Sequence, residues 1–297
     1  MPANTTQTPF DAFVAPARKK PAIWRIILGF IVILAAFILG NEAIIYGIAR
    51  VFPLTTVDDV FAAREPLTLA FLLATFAPIC LGVWCAARWV HGRSLGSVIG
   101  PRHIFLRDFA TATATFVAVS TVMFVLWSFL HDTTPNLPLG IFLKWLPLML
   151  VLLFLQTGAE ELIFRGYLPQ QLRARFQSPL IWYLLPAVAF ASLHHDPALY
   201  GAKTWIVLAA SGLSAILWMD LTIRSGSLGM AWGWHFANNA WVFLILCAPG
   251  ELDGASLFLT PYTFADMPTH IIFAEIVTML SIWAILRWVL YTRETAA

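Results

Sequence analysis

The sequence predicts an all-α polytopic membrane protein, a bundle of about eight transmembrane helices with an internal polar cavity. Its 297 residues are 60% hydrophobic and only 11% charged, whereas soluble domains are about 45–50% apolar and about 25% charged. A helix needs about 20 apolar residues to cross a bilayer. Apolar stretches near this length occur at 22–49, 66–90, 104–130, 141–168, 179–195, 203–223, 227–248 and 268–291. The stretch at 179–195 is short, so seven spans is the alternative count.

The order of polar and apolar stretches predicts four regions. Residues 1–21 are polar and Pro-rich and are expected to be a disordered cytoplasmic tail. Residues 22–135 hold the first transmembrane helices, with an interfacial segment at 91–102. Residues 136–248 form the core that carries the candidate site. Residues 249–297 supply an outer loop, the last transmembrane helix and a short cytoplasmic tail.

The distribution of basic residues predicts the orientation in the membrane. With the N-terminus inside, every Lys and Arg except Arg50, Arg64, Lys144 and Lys203 lies on the cytoplasmic side. This bias is the positive-inside pattern, so both termini should be cytoplasmic. The compact chain is typical of an integral protein of the bacterial inner (plasma) membrane. The lipid bilayer is then its surroundings, and a net charge of +2 is too small to suggest nucleic-acid binding.

Ionisable groups at the end of the fourth apolar stretch mark the candidate site. Glu160, Glu161 and Arg165 follow a long apolar run, although a charged side chain at mid-bilayer costs at least about 2.5–3.5 kcal/mol. Glu161 and Arg165 have the i,i+4 spacing of a helical ion pair. Glu160 is rotated about 100° from Glu161 on a helix of 3.6 residues per turn. One carboxylate can therefore face a cavity while Arg165 holds the other.

Two later stretches supply partners for these carboxylates. His194 follows a turn near Pro179, so in an antiparallel hairpin it returns to the depth of Glu160. His235 and Asn239 are an i,i+4 pair on the seventh stretch. A dehydrated carboxylate can act as a general base, so Glu160 and His194 could activate a water. His235 and Asn239 could stabilise an oxyanion.

A metal site is the alternative chemistry for the same residues. Glu160, His194 and His235 could bind a divalent metal such as zinc and leave a position open for water. The HExxH pattern of soluble metalloproteases is absent. The sequence therefore makes no cofactor certain, and the carboxylate is the more secure part of the prediction.

The three motifs together resemble a known family, the type II CAAX prenyl proteases and bacteriocin-processing or self-immunity (CPBP) membrane proteases. Its signature, EExxxR, FxxxH and HxxxN/D in that order, is matched by Glu160-Glu161 with Arg165, by Phe190 with His194, and by His235 with Asn239. The resemblance covers about residues 140–247. It implies an eight-helix bundle with a water-accessible cavity and an intramembrane endopeptidase, glutamate-dependent or metal-dependent. It also implies a membrane-associated protein or peptide, prenylated or not, as substrate.

Other interpretations of these residues remain open. The charged cluster could simply end the fourth helix, and Asn239 could only bond a neighbouring helix. Four histidines near predicted helix ends are interpreted as interfacial: His91, His103, His131 and His270. The competing functions are a catalytically silent immunity or scaffold protein of the same fold, a bis-imidazole haem or metal protein, and a proton-coupled transporter.

Overall fold

The computed structural model describes residues 8–295, most of which are helical. The helices, in chain order, are α1 (Pro9–Val14), α2 (Ile23–Val51), α3 (Val57–Ala62), α4 (Pro66–Val90), α5 (Gly96–Ile99), α6 (Arg102–Ser128), α7 (Leu139–Arg175), α8 (Leu180–Ser192), α9 (Pro197–Ser225), α10 (Gly229–Ala240) and α11 (Thr269–Thr295). A small sheet joins three two-residue strands, β1 (Thr134–Pro135), β2 (Leu246–Cys247) and β3 (Phe258–Leu259), in the order β1-β3-β2.

Within residues 8–295, six helices are long and apolar enough to cross a membrane, namely α2, α4, α6, α7, α9 and α11. The chain is therefore an integral membrane protein of the predicted all-α polytopic class. The fifth and seventh predicted stretches form shorter helices. The fifth is α8, and the seventh is the 12-residue α10, which a π-helical turn at Trp241–Ile245 extends. Both lie within the bundle: α8 packs against α9, and α10 packs against α6.

Glycines bring α10 close to its neighbours. A Cβ on Gly229 would lie 2.5 Å from the Phe105 carbonyl oxygen, and one on Gly233 would lie 2.4 Å from that of Phe109. These glycines are four residues apart, so they line the face of α10 that packs on α6. On the α7 side, a Cβ on Gly158 would lie 2.0 Å from the Trp232 ring. Small residues thus set the short helix separations, as in other membrane bundles.

The prediction of a disordered N-terminal tail is wrong for residues 8–21. Thr8 caps α1 by accepting a hydrogen bond from the Asp11 backbone N–H, and Phe10 and Phe13 are buried. The Phe10 ring centroid lies 5.1 Å from that of Trp182. Burial of these two rings provides the free energy that orders the short helix. The remaining part of the predicted tail, residues 1–7, lies outside the described residues.

The segment that joins α4 to α6 is partly enclosed by the protein, and its predicted place along the membrane interface stays a prediction. His91 and Arg93 are 4% and 7% exposed. The His91 Nε2 lies 2.8 Å from the Tyr167 hydroxyl oxygen. The segment therefore packs into the protein, against α7.

Candidate active site

Helix α7 carries the charged motif at a local change of helix type. The α-helical part ends at Glu161, and Leu162–Tyr167 forms a π-helical turn. Such turns are frequent at functional sites. The turn keeps the predicted ion pair, because the Arg165 Nη1 lies 3.0 Å from Glu161 Oε1. Both side chains are almost completely buried, at 1% and 0% exposure.

Aromatic rings enclose the buried guanidinium. The Arg165 Cζ lies 4.1 Å from the ring centroid of Phe190 and 4.8 Å from that of Trp218. The negative faces of the two rings attract the cation in a dehydrated site. Glu161 supplies the counter-charge. Arg165 is therefore fixed between α8 and α9, and it holds Glu161 in place.

His235 joins both carboxylates. Its Nδ1 lies 2.8 Å from Glu161 Oε1, and its Nε2 lies 3.3 Å from Glu160 Oε2. The imidazole stacks on Trp218, with 4.4 Å between ring centroids and 22° between ring planes. Motif residues from α7 and α10 thus meet directly. The sequence predicted that they share a site, but not this contact.

Glu160 differs from Glu161 in its exposure. Its side chain retains 14% of its accessible surface, against 0% for Glu161. The predicted division between the two carboxylates matches this difference. Glu161 is enclosed by Arg165 and His235, whereas Glu160 can be reached by a small molecule such as water.

His194 lies just beyond the end of α8. Its Nδ1 lies 3.1 Å from the Phe190 carbonyl oxygen, and its ring centroid lies 4.8 Å from the Phe190 ring. Because a carbonyl only accepts hydrogen bonds, Nδ1 is the donor and Nε2 stays available as an acceptor. Burial lowers the pKa of His194, and the nearby Glu160 carboxylate opposes that effect. Within the described residues, no direct hydrogen bond joins His194 to Glu160.

Asn239 is held by a residue that the sequence analysis missed. The Asn239 Nδ2 donates a hydrogen bond of 2.9 Å to Gln156 Oε1, and its Oδ1 accepts one of 3.2 Å from Asn238 Nδ2. Gln156 is only 6% exposed and lies four residues before Glu160. That spacing puts both side chains on one face of α7. The sequence signal that could have identified Gln156 is a single polar residue in an apolar stretch, one helical turn before the charged motif.

Trp218 is the second residue that sequence reasoning missed. It contacts both Arg165 and His235 from α9. Tryptophan in an apolar helix is normally a packing residue, so nothing in the sequence distinguished Trp218 from the other twelve. Its role depends on a tertiary contact.

The possible zinc ligands are not arranged as a metal site in residues 8–295. No group of three or more His, Cys, Asp or Glu side chains is placed there to hold a metal ion. In the proposed set of Glu160, His194 and His235, the His235 Nε2 faces Glu160 at hydrogen-bond distance. The separation of these two atoms is compatible with shared metal binding, but within residues 8–295 no third ligand joins them, so the side chains do not form a three-ligand zinc site.

The chain is similar to known proteins in the region that carries this site. The family model "Type II CAAX prenyl endopeptidase Rce1-like" matches residues 142–241. The "Uncharacterized protein YyaK" of Bacillus subtilis (strain 168) is 28% identical over 265 residues, which cover 84% of this chain and 87% of that protein. No solved structure matches the chain. The resemblance predicted from the three motifs is thereby confirmed over residues 142–241, the part of the chain that is similar to the type II CAAX prenyl endopeptidase family model.

Proposed function

We propose that this protein is an intramembrane endopeptidase in which Glu160 activates the attacking water. The observation that carries the proposal is the contrast between the two adjacent carboxylates. Glu161 is fully enclosed by Arg165 and His235, whereas Glu160 keeps an accessible edge beside the same histidine. A carboxylate that only ended a helix would need no such surroundings.

The proposed reaction starts with proton transfer from water to Glu160. His194, whose Nε2 can accept a hydrogen bond, orients the same water. The resulting hydroxide attacks the carbonyl carbon of the scissile peptide bond, and the carbonyl oxygen becomes an oxyanion. The C–N bond then breaks, and Glu160 returns the proton to the departing amine nitrogen. The products are a carboxylic acid and an amine, between which a proton then passes to give a carboxylate and an ammonium group, and the Glu160 carboxylate is regenerated.

His235 and Asn239 are proposed to stabilise the oxyanion. The Nδ1 of His235 faces Glu161, which orients the ring, and its Nε2 lies beside Glu160, where an N–H would point to the oxyanion. Asn239 uses one amide N–H on Gln156 and keeps the second for substrate. In known enzymes each oxyanion donor contributes about 2.7–4 kcal/mol.

The proposed substrate is a membrane-associated protein or peptide. The site lies among helices that cross the bilayer, so a substrate must reach it from the membrane or its surface. We also propose that both termini face the cytoplasm of a bacterial inner membrane, because the basic residues concentrate on that side.

The test compares membrane proteomes of cells that carry wild type, Glu160→Gln or Glu275→Gln as the only copy. Glu275 is an exposed carboxylate on α11, outside the site, and serves as the matched control. We expect precursor proteins to accumulate with Glu160→Gln and not with Glu275→Gln. A general base typically contributes about 10²–10⁴-fold to the rate. Normal processing by folded Glu160→Gln protein would contradict the proposal and favour a silent scaffold.

A second arm of the experiment separates the two forms of protease chemistry. Purified wild-type protein is incubated with a precursor found in the first arm, with and without a strong chelator. The glutamate mechanism predicts unchanged cleavage and no stoichiometric zinc by elemental analysis. Loss of cleavage that zinc restores would instead show a metal-dependent enzyme.

A further inference from the structure

A buried basic cluster lies at the end of α4, apart from the candidate active site. His91 and Arg93 are both almost completely enclosed. Arg93 Nη1 donates to Gln170 Oε1, but its buried Nε and Nη2 have no hydrogen-bond acceptor among residues 8–295. His91 Nδ1 makes no hydrogen bond of ordinary geometry in that part of the chain, although the Lys20 backbone lies beside the ring. These three atoms can all serve as donors to a ligand.

The cluster also lacks a balancing negative charge. The charged side chains that lower the pKa of His91 are those of Arg93, Arg25 and Lys20, which are all cationic. Burial lowers the pKa of Arg93 to about 10, so the guanidinium stays protonated at neutral pH. Residues 1–7 and 296–297 contain no Asp or Glu that could pair with it. An enclosed cation without a counter-ion is strongly unfavourable, so an external anion would stabilise this cluster.

Gly92 lies between the two buried residues and allows the Lys20 side chain to approach them closely. It has a positive φ of 65° and no side chain, and a Cβ at this position would lie 2.9 Å from Lys20 Nζ. The Lys20 ammonium group therefore lies directly over the glycine. Lys20 is exposed, so its ammonium group is accessible to an anion from the surroundings.

The position of the cluster along the helices indicates the source of the anion. Helix α2 begins at Ile23 and α4 ends at Val90, so both helices have an end beside the cluster. Trp24 and Trp89 are 56% and 69% exposed there. Exposed tryptophans at helix ends are typical of the lipid headgroup level. The phosphate of a phospholipid would lie at this depth.

We propose that Lys20, His91 and Arg93 form a binding site for a phosphate group. A phospholipid headgroup is the source that the location favours, and free phosphate is the other source of the same chemistry. Arg93 supplies two donors of fixed geometry, as guanidinium groups do for phosphate oxygens. Lys20 adds a mobile cation above the site. This site is independent of the proposed peptidase activity.

The first test titrates inorganic phosphate into purified full-length protein in a phosphate-free, non-ionic detergent. Thermal unfolding is followed, with sodium chloride at matched ionic strength as the salt control. We expect saturable stabilisation of the wild type. Arg93→Gln should weaken phosphate binding roughly 10- to 100-fold, and Lys20→Gln roughly two- to fivefold. Arg88→Gln is the matched control, since Arg88 is an exposed arginine on the same turn, and should bind as wild type does.

The second test reconstitutes the same variants in nanodiscs that contain phosphatidylglycerol, and measures retained lipid by native mass spectrometry. Retention by wild type and Arg88→Gln, and its loss in Arg93→Gln, would identify the lipid as the source. Phosphate stabilisation without lipid retention would identify free phosphate. If Arg93→Gln does not fold, the test of the proposal is whether Lys20→Gln binds phosphate more weakly than wild type. The proposal would be overturned if wild type showed neither phosphate stabilisation nor lipid retention. It would also be overturned if Arg93→Gln and Lys20→Gln bound as tightly as wild type.

Discussion

His235 Nδ1 lies 2.8 Å from Glu161 Oε1, so a buried hydrogen bond joins α10 to α7 beside the carboxylate proposed to activate water. The bond connects residues 74 positions apart in the chain. Glu161 accepts from His235 and also neutralises Arg165. One carboxylate therefore orients the imidazole and compensates the guanidinium, so Glu160 is not required for either task.

Removing Glu161 alone should destabilise the protein strongly. Glu161→Ala strands the buried Arg165, and breaking a buried ion pair in this way typically costs about 3–5 kcal/mol. The double variant Glu161→Leu/Arg165→Met removes both charges and should recover much of that loss, while peptidase activity stays absent. Unfolding free energies in mixed micelles measure both effects. A Glu161→Ala protein as stable as wild type would show that this pair contributes little.

Gln156 should affect turnover more than substrate binding. Because it fixes the Asn239 carboxamide, Gln156→Leu is expected to lower kcat roughly 10-fold, a part of the effect of losing one oxyanion donor, with little change in KM. Gln156→Glu keeps an acceptor for Asn239 Nδ2 and should retain more activity than Gln156→Leu. Steady-state cleavage of a peptide derived from an identified precursor gives both constants. A raised KM with unchanged kcat would instead place Gln156 in substrate binding.

The protein should become less stable as the pH is lowered, because of His91. Burial, and then the charge of Arg93, lower the pKa of His91 from 6.5 to about 4 in the native protein. Between these values the unfolded chain binds more protons than the native protein, so stability is lost as pH falls from about 6.5 to about 4, by a few kcal/mol at most. His91→Gln should flatten this part of the unfolding profile. His103→Gln, which changes an exposed histidine, is the control, and an equal change in both variants would exclude His91 as the source.

The close approach of α10 to α6 should make Gly233 intolerant of a side chain. In Gly233→Ala the new Cβ would meet the Phe109 carbonyl oxygen, and such overpacking typically costs about 1–3 kcal/mol. Gly140→Ala is the matched control on α7, since a Cβ there has no neighbour within 4 Å. It should be neutral or slightly stabilising, because Ala favours helix over Gly. Thermal unfolding of the two variants compares them directly, and similar behaviour would argue against a tight α6–α10 contact.

Sequence alone was sufficient for those features that depend on local spacing or composition. Length and hydropathy predicted the six helices within residues 8–295 that are long and apolar enough to cross a membrane, but also counted two stretches that form shorter helices. The i,i+4 spacing predicted the Glu161–Arg165 pair. The contact between His235 and both carboxylates depends on how α7 and α10 pack, which no local pattern shows. The prediction of a disordered tail failed because α1 has only 6 residues, too few for a periodic pattern. Its order comes from the rings that it buries against the rest of the protein.

The N-terminal helix has a consequence for biogenesis. The Phe13 carbonyl oxygen accepts a hydrogen bond from Gln170 Nε2, across 157 positions of the chain. During synthesis the N-terminal residues leave the ribosome first, long before α7 has been made. Docking of α1 must therefore wait until more than half of the polypeptide has been translated, and a bulky fusion placed just before Thr8 would interfere with this late step of assembly.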